Sequence, residues 1–319
     1  MVEVDQILDS IKYVIQKADY IKINYDKLSK FVKNFKSVNK FSWVFETPFK
    51  IHNLSDNEKL MLMVIFNSIS FSYWGDPYWN VNYKGNHTRG SWSLIASIFR
   101  AIDEGKDILN PSFLLELSKD ELAQILRGNT EIPLLEERQR ILNEVGKVLI
   151  EKFEGDFTNV LKQSQGNAKK LFQIILDNFA YFEDYAEYKG RKVFFYKRAQ
   201  ALVESVYAIF EGKNYGNLKG IDSFTALADY IIPNFFRELG IMEYSKELAN
   251  KIDNKILLKK GSPEEVEIRA TTIWVTELIR KELESRGIKL NAFEVNDYLW
   301  IFGREGVSKP FHRTRTTCY

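Results

Sequence analysis

Apolar positions along the chain recur mostly at helical spacing. Ile7 to Ile15 reads as a first helix, and the apolar run Leu60 to Ile69, opened by Asp56-Asn57-Glu58, as a buried one. Further helices are expected from Ser91 to near Gly105, over Glu136 to Phe153 with a stop at Gly155, and over Asn167 to Phe179. Local chemistry marks several starts. Ser118-Lys119-Asp120-Glu121 has the form of a capping box, with a helix to Leu126 after it. Ser262-Pro263-Glu264-Glu265 combines a cap residue, a proline at the first helical position and an acid, and that helix should run to Arg286-Gly287. Asn291 to Phe302 is the last helix expected. Phe71 to Trp92 breaks the pattern: it is aromatic and Gly-rich, with a turn at Trp74-Gly75-Asp76-Pro77 and a short hairpin over Val81 to Asn86. Val193 to Phe195 reads as a strand or as the approach to the helix that follows. The expected fold is an all-α globule with one small aromatic-rich β/loop insertion, over residues 1–319 as a single helical domain or two tightly packed lobes.

One stretch has an acid where an apolar pattern leaves little room for it: Ser223-Phe224-Thr225-Ala226-Leu227-Ala228-Asp229-Tyr230-Ile231-Ile232-Pro233-Asn234. Read as a helix, it kinks at Asp229, because a proline ring crowds the carbonyl four residues earlier. Phe224, Leu227, Ala228, Ile231 and Phe235 then share an apolar face, and Asp229 lies nearly opposite, among Ala226, Ile232, Pro233 and Phe236. A carboxylate in such a patch is costly unless something pairs with it, which is a common mark of a working acid or base. The structural alternative is an aspartate that caps a neighbouring helix or pairs with an arginine.

Composition narrows the class. Apolar residues make up 45% of the 319 residues and charged residues 28%, as in a globular protein. The net charge of +2 makes no electrostatic case for broad nucleic-acid binding. One cysteine, Cys318, excludes an internal disulfide and suits a reducing, cytoplasmic compartment. The scattered histidines His52, His87 and His312 do not form a metal-binding pattern, and no metal or cofactor is expected. No run reaches the ~20 apolar residues of a membrane span. No phosphate loop, dinucleotide glycine fingerprint, paired-histidine zinc helix or Gly-x-Ser-x-Gly elbow is present.

Four more places carry candidate chemistry. In Phe194-Phe195-Tyr196-Lys197-Arg198-Ala199-Gln200, Lys197 and Arg198 fall in a first helical turn, where cations are unfavourable beside the dipole unless an anion sits there. The alternative is a pair of solvated charges. Glu267 shares a helix face with Thr271, Trp274 and Leu278, and either grips a ligand's hydroxyl or ammonium group or partners Arg269. Phe71-Ser72-Tyr73-Trp74 with Trp79 is either core or a stacking wall for a flat base. Asp297 and Trp300 lie three apart on one helical side, ahead of the tail Pro310-Phe311-His312-Arg313-Thr314-Arg315.

Read in order, these segments resemble the queuosine salvage protein family, the queuosine 5′-phosphate N-glycosidases. The resembling stretches include Phe71-Ser72-Tyr73-Trp74; Gly90-Ser91-Trp92-Ser93-Leu94 through Gly105; Ile132-Pro133-Leu134-Leu135-Glu136-Glu137-Arg138; Phe195 to Gln200; Ala228-Asp229-Tyr230; Glu265 to Arg269; Asp297 to Trp300; and Pro310 to Arg315. They span roughly residues 50 to 319. The resemblance implies an all-helical architecture similar to base-excision DNA glycosylases. It implies hydrolysis of queuosine 5′-phosphate to release queuine, with no membrane and no stable nucleic-acid complex among its partners. The family's catalytic aspartate maps onto Asp229. After it, Ile231 and Asn234 stand where the family commonly has Arg or Lys and Gln. The expected binding roles are Lys197 and Arg198 for the 5′-phosphate, Glu267 and Asp297 for the polar groups of the base, and Phe71, Trp74 and Trp300 for stacking. Tyr230 and His52 complete the candidate set. A non-catalytic queuine- or nucleotide-binding protein and a nucleic-acid glycosylase remain as alternatives.

Overall fold

The computed structural model describes residues 4–35, 42–44 and 46–319. Among them are fourteen α-helices and three two-stranded antiparallel ribbons. The chain opens with α1 (Val4–Lys17), β1 (Ile21–Ile23) and α2 (Tyr25–Lys33). It continues through α3 (Asp56–Ser68), β2 (Asn80–Tyr83), β3 (Asn86–Arg89), α4 (Ser91–Asp103), α5 (Pro111–Glu116) and α6 (Lys119–Ile125). Next come α7 (Leu135–Phe153), α8 (Phe157–Ser164), α9 (Ala168–Asn178), β4 (Tyr185–Tyr188), β5 (Arg191–Phe194) and α10 (Lys197–Ile209). The last part holds α11 (Ile231–Glu238), β6 (Met242–Tyr244), α12 (Lys246–Asp253), α13 (Pro263–Ser285) and α14 (Ala292–Gly303). No described helix is long and apolar enough to cross a membrane.

The helix ends follow local chemistry. Ser55 and Glu58 form a reciprocal capping box at α3, and Asn291 and Glu294 another at α14. At α6, the Ser118 hydroxyl accepts from the Glu121 N–H, but the Glu121 carboxylate turns to Lys106 at 2.7 Å, so only half of the expected box forms. Ser262 caps α13 with Pro263 at its first position. The hairpin expected near Gly85 is present as β2–β3, with Lys84 and Gly85 at positive φ in its turn.

The single β insertion expected from the sequence is an undercount. Val193 belongs to a second hairpin, β4–β5, and β1 pairs with β6 across most of the chain, Ile21 opposite Tyr244. Three-residue strands leave too little alternation to read, and their pairing is decided by packing beneath them.

Two apolar cores result. The larger takes α1 and α3 to α10; the smaller takes β1, α2, β6, α11 and α12. α13 serves both, giving Val266, Ala270 and Ile273 to the larger and Ile268, Val275 and Ile279 to the smaller. A helix packed on two sides loses its amphipathic stripe, and α13 is buried nearly all round its middle, polar Arg269, Thr272 and Thr276 included. α14 divides likewise, with Phe293 facing one core and Val295 and Leu299 the other.

Close approach within the larger core depends on Gly146. A Cβ there would lie 2.5 Å from both the Leu115 N and the Pro111 carbonyl oxygen, so α5 seats directly on the α7 backbone. Gly146→Ala should destabilise the protein by about 1–3 kcal/mol through overpacking, read as a lower midpoint in chemical denaturation with an unchanged slope.

Candidate active site

Asp229 is not in a kinked helix. Residues 224–230 are extended, and α11 begins only at Ile231. Pro233 therefore falls in the first turn of α11, where backbone N–H groups lack intrahelical partners and a proline sacrifices nothing. The extended segment satisfies its backbone through side chains of flanking helices. The Thr225 N–H donates to Gln200 Oε1 at 3.0 Å, and the Leu227 N–H to Asn296 Oδ1 at 2.9 Å. Asp229 itself caps α11: its Oδ1 accepts from the Ile231 and Ile232 N–H groups, each at 3.0 Å. The capping alternative was thus correct in kind, except that the helix capped is the one the acid precedes.

Capping does not use up this carboxylate. Asp229 is buried and lines a cavity of about 420 Å³ in the seam between the two cores. Burial pushes its pKa up, opposed by the α11 N–H groups, by the Lys197 ammonium and by the Trp300 indole N–H directed at it. Phe71, Lys197, Tyr230, Asp297 and Trp300 line the same cavity. Tyr230 shares a hydroxyl–hydroxyl hydrogen bond of 3.0 Å with Tyr78, and its ring lies 4.8 Å from that of Phe311. The indole of Trp300 meets Trp92 edge to face.

Lys197 owes its position to a buried ion pair behind it. Asp184 takes a two-pronged contact from Arg269, at 2.8 and 2.6 Å, and one of its oxygens also accepts the Lys197 backbone N–H at 3.1 Å. The Asp184 carbonyl accepts from the N–H groups of Phe195 and Tyr196, so this one residue sets the start of α10. The Lys197 ammonium makes no hydrogen bond or ion pair among the described residues. Burial holds its pKa down to about 8, opposed by Asp229. Arg89, Lys255, Arg304, Lys309 and Arg313 also line the cavity, giving it the cationic character an anionic ligand needs.

Four expected contacts are not in the lining. Arg198 is fully buried and spends its guanidinium on the Ser68 and Tyr181 carbonyls. With Arg138, which binds the Ile69 and Phe71 carbonyls, it brackets the Phe71 ring at 5.4 and 4.2 Å. Arg198 therefore shapes the cavity wall from behind. Glu267 accepts the Asp19 and Tyr20 N–H groups at 2.9 and 2.7 Å and the Tyr188 hydroxyl at 2.7 Å, tying α13 to the α1–β1 turn. Trp74 carries the Arg315 guanidinium 3.8 Å from its ring and packs with Tyr230, Cys318 and Tyr319. His52 is exposed on a short 3₁₀ turn.

The sequence reading missed Glu204 and Trp43. Glu204 lies seven residues after Lys197 on the same face of α10, with Ala201 between them, and all three line the cavity. It is the sole acid of α10, a signal the sequence did contain. Its carboxyl and that of Asp297 are hydrogen-bonded to each other, and both are almost fully buried. Trp43 bridges them: its backbone N–H donates to Asp297 at 3.2 Å and its indole N–H to Glu204 at 3.1 Å. Burial raises both pKa values, that of Glu204 to about 7; the hydrogen bond from Asp297 favours the ionised Glu204, and the Glu204 charge in turn pushes Asp297 further up.

Fold and site together define a mainly helical protein with an acid-centred cavity, walled by aromatics and supplied with cations. The family model described as "Queuosine salvage protein" matches residues 51–319, and the chain belongs to that family. Curated relatives named "Queuosine 5'-phosphate N-glycosylase/hydrolase" include one from Sphaerobacter thermophilus, 37% identical over 98% of this chain and 97% of the relative. Another, from Mus musculus, is 38% identical over 87% of this chain and 88% of its own length. A third, from Schizosaccharomyces pombe, is 33% identical over 82% and 79%.

Replacing Arg269 with Met should cost about 3–5 kcal/mol, because the Asp184 carboxylate would stay buried without its partner. Equilibrium denaturation of the two proteins measures it.

Proposed function

We propose that this protein hydrolyses the N-glycosidic bond of queuosine 5′-phosphate and releases queuine. The observation that carries the reading is Asp229, a buried carboxylate pinned by the N-terminus of α11 on the wall of a cavity that also holds Lys197. The names of the relatives support the substrate.

Cleavage of the bond builds positive charge on the ribose. The Asp229 carboxylate opposes that charge, as the carboxylates of sugar hydrolases do. Its orientation is set before substrate arrives, because two backbone N–H groups of a helix end hold one oxygen in place. Such preorganised electrostatics act strongly in a cavity with little water. Lys197 holds the 5′-phosphate, and the remaining cations of the lining favour an anionic ligand. Phe71, Tyr230 and Trp300 bound the space for the flat base, and Asp297 takes polar groups of the base. The cavity in the seam between the two cores houses a single mononucleotide.

Base release from queuosine 5′-phosphate, followed by mass detection of free queuine, tests the reading. Asp229→Asn keeps an oxygen for the α11 N–H groups, since asparagine caps as well as aspartate. It should retain ligand binding and lose turnover by at least about 100-fold. A folded wild type that releases no base overturns the hydrolase, and full activity in the variant overturns the choice of carboxylate.

The activity should also fall at alkaline pH. Lys197 is charged below its pKa of about 8 and neutral above it, so KM for the nucleotide should rise as pH passes that value. Lys197→Ala should remove this limb and raise KM for the nucleotide much more than for the nucleoside. Equal effects on the two substrates would sink the phosphate assignment.

A further inference from the structure

The described residues offer no ion pair to either Glu204 or Asp297, although both carboxyls are buried on the cavity wall. Their hydrogen bonds come from the N–H groups of Trp43, the Ser205 hydroxyl at 3.4 Å, the Asn296 amide at 3.5 Å and each other. Two carboxyls this close retain one proton between them and one negative charge. The Lys197 ammonium favours the Glu204 charge through space without touching it, so the pair has no contacting counter-ion among the described residues, and a buried charge of this kind that faces an open cavity is ready for a cation from outside the chain. A second feature of the lining calls for a ligand rich in donors. Asn234 is nine-tenths buried; its amide nitrogen donates to the Lys309 carbonyl at 2.9 Å, and its Oδ1 accepts no hydrogen bond from the described residues.

We propose that Glu204 and Asp297 act as one unit, a carboxyl pair of single negative charge that receives the protonated amine on the side arm of the base and so selects alkylammonium-bearing deazaguanine nucleotides over neutral ones. The inference rests on the proposed function and adds Glu204 to it as the specificity-determining residue.

Geometry along α10 supports the placement. Seven residues separate Lys197 from Glu204, about 10 Å along a helix. Lys197 lies close enough to Asp229 to influence its ionisation. A nucleotide with its ribose at Asp229 and its phosphate at Lys197 extends its base along the Lys197–Ala201–Glu204 face, and the side arm reaches the carboxyl pair. Trp43 fixes the spacing of the two acids from above, with its ring stacked on Phe66 at 4.7 Å. Neutral side arms leave the negative charge buried and unpaired, and that loss is the source of the selectivity.

Calorimetric binding of two bases tests the inference without turnover: 7-aminomethyl-7-deazaguanine, a cation, and 7-hydroxymethyl-7-deazaguanine, its neutral counterpart. The wild type should bind the cation at least about 30-fold more tightly, and Glu204→Gln and Asp297→Asn should each narrow that gap to about threefold or less. Equal binding of the two bases by the wild type overturns the proposal, as does an unchanged gap in either variant shown by thermal melting to be folded. Should both substitutions unfold the chain, the wild-type comparison still reads the charge preference by itself. Loss of base release from queuosine 5′-phosphate with the binding gap intact would remove the hydrolase reading and leave this one standing.

Discussion

A carboxylate placed between two apolar cores needs partners to stay ionised, and the way Asp229 is held governs the rest of the site. The N-terminus of α11 supplies two hydrogen bonds to one oxygen, and Lys197 supplies the nearby positive charge. For this to work, the chain before α11 must be extended and must bring the acid to the end of the helix. Gln200 of α10 and Asn296 of α14 make that segment affordable by bonding its backbone from either side. Asp184 and Arg269, buried behind α10, set the direction from which Lys197 reaches the same cavity.

The cavity itself follows from the division of the core. α13 and α14 each face both apolar clusters, so neither cluster can close completely over the other. The space left between them is lined by polar and aromatic side chains together. The guanidiniums of Arg138 and Arg198, packed about the Phe71 ring, make no ion pair among the described residues and bind backbone carbonyls, those of Ser68, Ile69 and Phe71 among them. They keep an irregular stretch of chain, with Ser72 at positive φ, in one conformation beside the cavity. The same cavity carries the Glu204–Asp297 pair, with Trp43 bridging it.

Much of the helical framework was legible before the fold was known. The helix starts at Asp56, Ser262 and Asn291 and the hairpin turn at Gly85 depend on bonds between residues three or four apart, and those positions carried their own evidence. The site was legible in part. Phe71, Lys197, Asp229, Tyr230, Asp297 and Trp300 lie on one cavity. Arg198, Glu267, Trp74 and His52 do not, for a common reason. A charge or a ring in a sequence does not say what lies opposite it. Glu267 meets the Asp19 and Tyr20 N–H groups, nearly 250 positions earlier in the chain, and Arg198 meets the Ser68 carbonyl, 130 positions away. The extended run before α11 was read as helix because its apolar spacing suits a helix; tertiary hydrogen bonds decided otherwise.

The sequence by itself determined most of the longer helices, where several of them start and stop, and that an acid would be buried near Pro233. These rest on short-range sterics, on caps and on the price of leaving apolar surface in water. It also carried enough ordered resemblance to reveal the family. Tertiary structure alone decided that Asp229 caps a helix it does not belong to, that Glu204 and Asp297 meet through Trp43, and that two of the arginines serve carbonyls rather than anions. Each of these is a contact between distant segments. Its energy depends on burial and on the direction of a bond, and neither quantity exists until the cores have packed.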